Sequence, residues 1–216
     1  GFYGTLDGNG HRIKGLYISK RNSCGYYGLM GVIRNKSVVR DFDIYGTIEI
    51  DGLTTRESVG SLAAGAYAAE IENCRSYVDI RLNGTDYGSI YAPAVGGLIG
   101  KTEYISSGAL TVSDSAFKGS IAITETQSNR TANGVGGIVG RIESSTEILR
   151  CVNYASFDID KGQGVGGIVG MISAHDEDKA TVKACADWGS ITNDADNVLD
   201  ARGGTGGVVG TAVSGS

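Results

Sequence analysis

The sequence predicts an all-β fold: a right-handed parallel β-helix, or β-solenoid, of about six coils with roughly three short strands per coil. Three observations predict it. A glycine-bearing hexamer recurs at steps of 30 to 40 residues, an alternating strand follows most copies, and no twelve-residue segment carries a helical stripe. Glycine makes up 35 of 216 residues, against a usual share of about 7%, and proline occurs once, at Pro93. With 41% apolar residues beside it, this glycine is not that of a polar linker, nor does it follow the Gly-X-Y period of collagen. It must recur for a positional reason.

The first element is GFYGTLDGNGHRIKGLYI at 1–18: a short apolar strand, a Gly8-Asn9-Gly10 turn and an alternating strand. The hexamer follows as VGGLIG at 95–100, VGGIVG at 135–140 and 165–170, and TGGVVG at 205–210, with looser copies YYGLMG at 26–31 and VGSLAA at 59–64. One face of the hexamer carries Val, Gly and Ile or Val; the other carries Gly, an aliphatic residue and Gly. Taken as a strand, it should be covered on both sides, with missing side chains admitting close neighbours.

A second element reads VVRDFDIYGTIEI at 38–50, IENCRSYVDIRL at 71–82, VSDSAFKGSIAI at 112–123, ILRCVNYASFDI at 148–159 and VKACADWGSI at 182–191. Its latter half alternates: Ile48 and Ile50 oppose Thr47 and Glu49, Ile80 and Leu82 oppose Asp79 and Arg81, and Phe157 and Ile159 oppose Ser156 and Asp158. That is a half-buried strand. The first half instead repeats in threes, as in Ile71, Cys74, Tyr77, Ile80 and in Ile148, Cys151, Tyr154, Phe157. Short strands meeting at a bend or bulge produce that step, since each extra residue flips the face.

Surplus length falls in polar segments at 83–89, 124–134 and 193–204, where loops absorb insertions cheaply. The alanine-rich SLAAGAYAAEIENC at 61–74 aligns with the other copies and is therefore expected as strand, corner, strand. A unit of this length cannot bury its apolar face alone. Stacking in parallel at about 4.8 Å makes one continuous core, whereas a propeller would need four antiparallel strands and hairpin turns per unit. Stacking places Phe42, Cys74, Ser115, Cys151 and Cys185 in one row, and Tyr45, Tyr77, Tyr154 and Trp188 in another that Lys118 interrupts. Both rows are expected to pack coil on coil.

GTLDGNGHRIKGLYI, then GYYGLMG, the repeated VGG[LI][IV]G and I-x-N-C-x-S together resemble the GLUG-motif repeats of bacterial surface proteins. The likeness spans nearly the whole chain. The copies at 26–31 and 59–64 depart from the pattern, the latter lacking its second and last glycines. Such repeats occur in adhesin-like and cell-wall proteins and in non-catalytic parts of IgA-specific metallo-endopeptidases. The resemblance implies an extracellular solenoid segment of a longer polypeptide, at the bacterial surface or secreted, with architectural glycines and no catalytic residue. One domain over 1–212 with a tail at 213–216 is expected, flanked by other domains or prone to end-to-end association, because a terminal coil is an open parallel edge.

Known site chemistries find little to use. Cys24, Cys74, Cys151 and Cys185 contain no C-x-x-C pair, so no zinc site is expected. Cys151 and Cys185 should be stack neighbours, either as a row of buried thiols or as a disulfide; the burial habit of free cysteine favours the row. His11 follows a polar turn. The cluster His175-Asp176-Glu177-Asp178 lacks the spaced ligands and glycine of a calcium loop, so no metal or cofactor is expected. Asn35, Asn83 and Asn129 open N-x-S/T triplets, which are accidental in a bacterial protein.

The net charge of −5 and the lack of a basic stripe argue against nucleic acid, and no apolar run of eighteen residues spans a membrane. A β-helix glycosidase or lyase would need converging carboxylates or a carboxylate with Lys or Arg; the polar strand face offers only scattered Glu49, Asp79, Arg81, Ser120 and Asp158. The favoured function is that of a non-catalytic structural and adhesive solenoid segment presenting a binding face to a host protein or glycan, with Tyr87, Tyr91 and Tyr104 as the exposed aromatic candidates. The alternatives are an accessory, substrate-orienting domain of a large secreted peptidase and a polysaccharide lyase or hydrolase.

Overall fold

The structure, a computed structural model, describes the chain apart from residues 20–24, 55, 85–92, 104–107, 125–131, 174–177, 195–203 and 214–216. Its described residues contain strands and turns and no helix. The strands form a parallel β-solenoid with three walls, each six rungs deep and linked by five turns of the coil. Each coil crosses a broad wall, then a second and a third narrow one.

In the broad wall the first three rungs are long strands, Thr5–Ser19, Val38–Asp51 and Glu70–Asn83. The next three are each broken into short pieces, such as Leu110–Ser113, Ala116–Phe117 and Ser120–Thr124. The second wall runs from Tyr26–Tyr27 through Ala94–Gly96 to Thr205–Gly206, and the third from Met30–Arg34 through Ile99–Thr102 to Val209–Ala212. Every ladder is parallel, as stacked coils require. The segment at 61–74 is strand, corner, strand, as its alignment predicts.

The glycine hexamer is a corner rather than one strand. Val95 and Gly96 end the second wall, Gly97 and Leu98 make the turn, and Ile99 and Gly100 begin the third. The two walls then meet at backbone contact. A Cβ on Gly96 would strike the carbonyl of Ile99, and one on Gly140 would strike the carbonyls of Gly100 and Val95 in the preceding rung. What covers each half of the hexamer is thus the other half and its neighbours in the stack. Leu62, Leu98, Ile138 and Ile168 project from the successive turns into the core and are fully buried.

From the second rung on, the broad wall flips face once per rung. A left-handed residue recurs in one row, at Asp41, Asn73, Asp114, Arg150 and Ala184, with φ between 48° and 60°. It delivers the next residue to the interior, so Phe42, Cys74 and Cys151 are buried. From Phe42, Cys74 and Cys151 onward the strand alternates with no further flip, and this corrects the reading in threes. Tyr77 and Tyr154 point outward, and the inward places belong to Ser76 and Val78 and to Asn153 and Ala155. Asp7 to His11 is likewise a bulge within one continuous strand, not a turn between two. The alternation of the latter half holds: Ile48, Ile50, Ile80, Leu82, Phe157 and Ile159 are all buried.

Burial falls away at the sixth rung. Ile148 and Phe157 are buried in the fifth, whereas Val182, Cys185 and Ile191 are half-exposed in the sixth, whose outer edge pairs with nothing among the described residues.

Candidate binding surface

The rows inferred from spacing exist. Tyr45 pairs with Tyr77 in register, and Ser76–Phe117–Asn153–Asp187 is the adjoining inward row, which sets Lys118, Tyr154 and Trp188 in line beneath the tyrosines. This row lies on the outer face of the broad wall, not in the packing between coils. The rings of Tyr45 and Tyr77 stack with centroids 4.5 Å apart and planes within 2°. Rings stacked from rung to rung turn their faces along the solenoid axis and their edges and hydroxyls to solvent. Cover by neighbouring groups strips water from the Tyr45 hydroxyl and pushes its pKa up.

Lys118 fills the aromatic gap. Its Nζ lies 5.6 Å from the Tyr77 centroid and 5.0 Å from that of Tyr154, a cation held between two rings. Below it Tyr154 is 50% exposed and Trp188 75% exposed, which makes this end the open part of the row. Lys118→Tyr should continue the ring stack through the wall and raise stability by about 0.5–1 kcal/mol, read as a higher urea midpoint.

Polar rows flank the aromatic one. On one side run Thr47, Asp79, Ser120, Ser156 and Ser190, then Glu49, Arg81, Ala122, Asp158 and Thr192. Ser120 donates to Asp79 at 2.8 Å, Ser190 donates to Ser156 at 3.1 Å, and Arg81 pairs with Asp79 at 3.5 Å. On the other side Asp43 sits between Arg12 and Arg75, at 3.6 and 3.7 Å. The left-handed row carries its own links: Asn73 donates to Asp41 at 2.7 Å, and Arg150 grips Asp114 with two bonds of 2.7 and 2.6 Å. That fork holds the Asp114 carboxyl below its usual pKa. The result is a face whose hydroxyls, carboxylates and ring edges repeat at the rung spacing.

Asp79 and Asp158 stand two rungs apart and in different rows, which sets them roughly 10 Å or more apart from the rung spacing alone. Tyr87, Tyr91 and Tyr104 lie outside the described residues, as do Cys24, His175, Asp176 and Glu177. The aromatic row was visible in the spacing, but its outward aim was not; a tyrosine directly before a glycine or alanine, as in Tyr45-Gly46 and Tyr154-Ala155, was the available signal. A separate cleft of about 700 Å³ opens at the corner between third and broad walls, lined by Tyr3, Lys36, Glu70 and Thr111 among others.

The cysteine row runs His11, Phe42, Cys74, Ser115, Cys151, Cys185. The three described cysteines are free thiols. Burial pushes the Cys74 pKa up to about 12. Cys151 is raised by its hydrogen bond to Cys185 and by burial, while Cys185 is lowered because the Cys151 thiol and nearby backbone N–H groups stabilise its thiolate. The first proton of the pair therefore leaves Cys185.

No family model, curated protein or solved structure matches this chain.

Proposed function

We propose that this chain is a non-catalytic, structural and adhesive solenoid segment of a bacterial cell-surface or secreted protein, presenting the outer face of its broad wall to a glycan or host protein. The observation that carries the proposal is the laced exterior of that wall, where stacked tyrosines, Lys118 and hydroxyl rows line up from rung to rung. Such a face is stiff before any partner arrives, so little ordering cost is added on binding. Its open end, Tyr154 and Trp188, supplies the large amphipathic contacts that dominate binding surfaces. An enzymatic role finds less support, because Asp79 and Asp158 do not converge and Asp79 is engaged by Ser120 and Arg81.

A glycan and host-protein array tests the proposal. Binders of the parent chain should lose at least about tenfold in affinity with the double variant Tyr154→Ala, Trp188→Ala, whose side chains are exposed enough to leave the core intact. Undiminished binding by that variant overturns it. So do new reducing ends or unsaturated products from acidic polysaccharides incubated with the protein.

A further inference from the structure

We propose that Cys151 and Cys185 form a redox-modification site, which takes a low-molecular-weight disulfide as oxidant and closes into a bond tying the fifth rung of the broad wall to the sixth. Both thiols are free, and the stack sets them directly opposite each other. Leu149 pairs with Lys183 and Val152 with Ala186, leaving Cys151 over Cys185. The Cys151 N–H donates to the Cys185 Sγ at 3.4 Å, so the outer sulfur sits against the inner residue. Neighbouring parallel strands lie about 4.8 Å apart, within the range of roughly 4.4–6.8 Å between the Cα atoms of disulfides.

Access orders the chemistry. Cys151 is fully buried, whereas Cys185, in the sixth rung, is half-exposed. The Cys185 thiolate attacks one sulfur of the reagent; the reagent's S–S bond breaks, and one reagent thiolate leaves and takes a proton. The Cys151 sulfur then attacks the Cys185 sulfur, loses its proton to solvent and displaces the second reagent thiolate. Two protein thiols are oxidised and one reagent disulfide is reduced to two thiols, so electrons and protons balance. Cys74 provides an internal comparison, because its row neighbours are Phe42 and Ser115, neither of which is a thiol. Ser115 also shows that serine fits this row, which makes Cys→Ser variants suitable probes.

The test uses reduced protein carrying Cys24→Ser, treated with oxidised glutathione. Its intact mass should fall by two hydrogens with no glutathione retained, and trypsin, which cuts after Arg150, Lys161, Lys183 and Arg202, should release peptides 151–161 and 184–202 joined. Adding Cys151→Ser should leave one glutathione trapped on Cys185; adding Cys185→Ser should abolish the linkage. Amide exchange across Ala180–Lys183 should slow at least about tenfold in the linked protein. A glutathione that stays on Cys185 while Cys151 is intact overturns the proposal. So does the absence of the joined peptides over a time in which the Cys151→Ser protein takes up glutathione.

Discussion

Gly136→Val is expected to destabilise the protein by at least about 3 kcal/mol, seen as a large drop in the urea midpoint of unfolding. Backbone, not flexible side chain, stands where the new atoms would go. A Cβ at Gly136 would collide with the Val139 carbonyl and come within 2.6 Å of the Gly170 amide in the next rung. Neither can retreat without parting the second and third walls, whose contact at this corner repeats through the stack. Gly207 is the matched control, since a Cβ there meets nothing within 4 Å. Gly207→Ala should change stability by less than about 0.5 kcal/mol. Equal losses at the two positions would show that the walls' close approach is not what the Gly136 substitution disrupts.

Phe117→Ala should cost about 3–5 kcal/mol in the same measurement. Phe117 is fully buried in the fourth rung, between the small Ser76 above and Asn153 below. Its ring lies against the hexamer turn, so close that a Cβ on Gly97 would overlap it. The neighbours are fixed by ladder hydrogen bonds and cannot collapse into the space left behind, which places the expected loss in the cavity-forming range. Coupling in a solenoid passes mainly between adjacent rungs. Faster amide exchange should accordingly concentrate in the strands at Glu70–Asn83, Ala116–Phe117 and Val152–Asn153. A uniform increase over all six rungs would contradict that picture.

Much of the solenoid was legible in residue spacing. The hexamer repeat and the alternating halves identified the rungs, and the cysteine and aromatic rows fell in the predicted registers. The candidate site was less legible. Whether Tyr77 and Tyr154 face in or out depends on one irregularity in each rung, built on Asp41, Asn73, Asp114, Arg150 and Ala184. None of these is glycine, and Arg and Ala announce no left-handed conformation by local preference. Rung-to-rung pairing imposes it, at a cost met by neighbours such as the Asp114–Arg150 fork.

The sequence by itself determined the period, the parallel stacking and the identity of the rows, because those follow from repetition and from the two-residue pleat of a strand. Only the tertiary structure decided that the glycine hexamer is a corner and that the tyrosines line the outside. It alone also decided that the buried Cys151 meets a half-exposed Cys185. The physical reason is common to all three: the direction of a side chain past a bulge, and the atom that approaches a bare Cα, are set by the neighbouring coil far more than by the local residues.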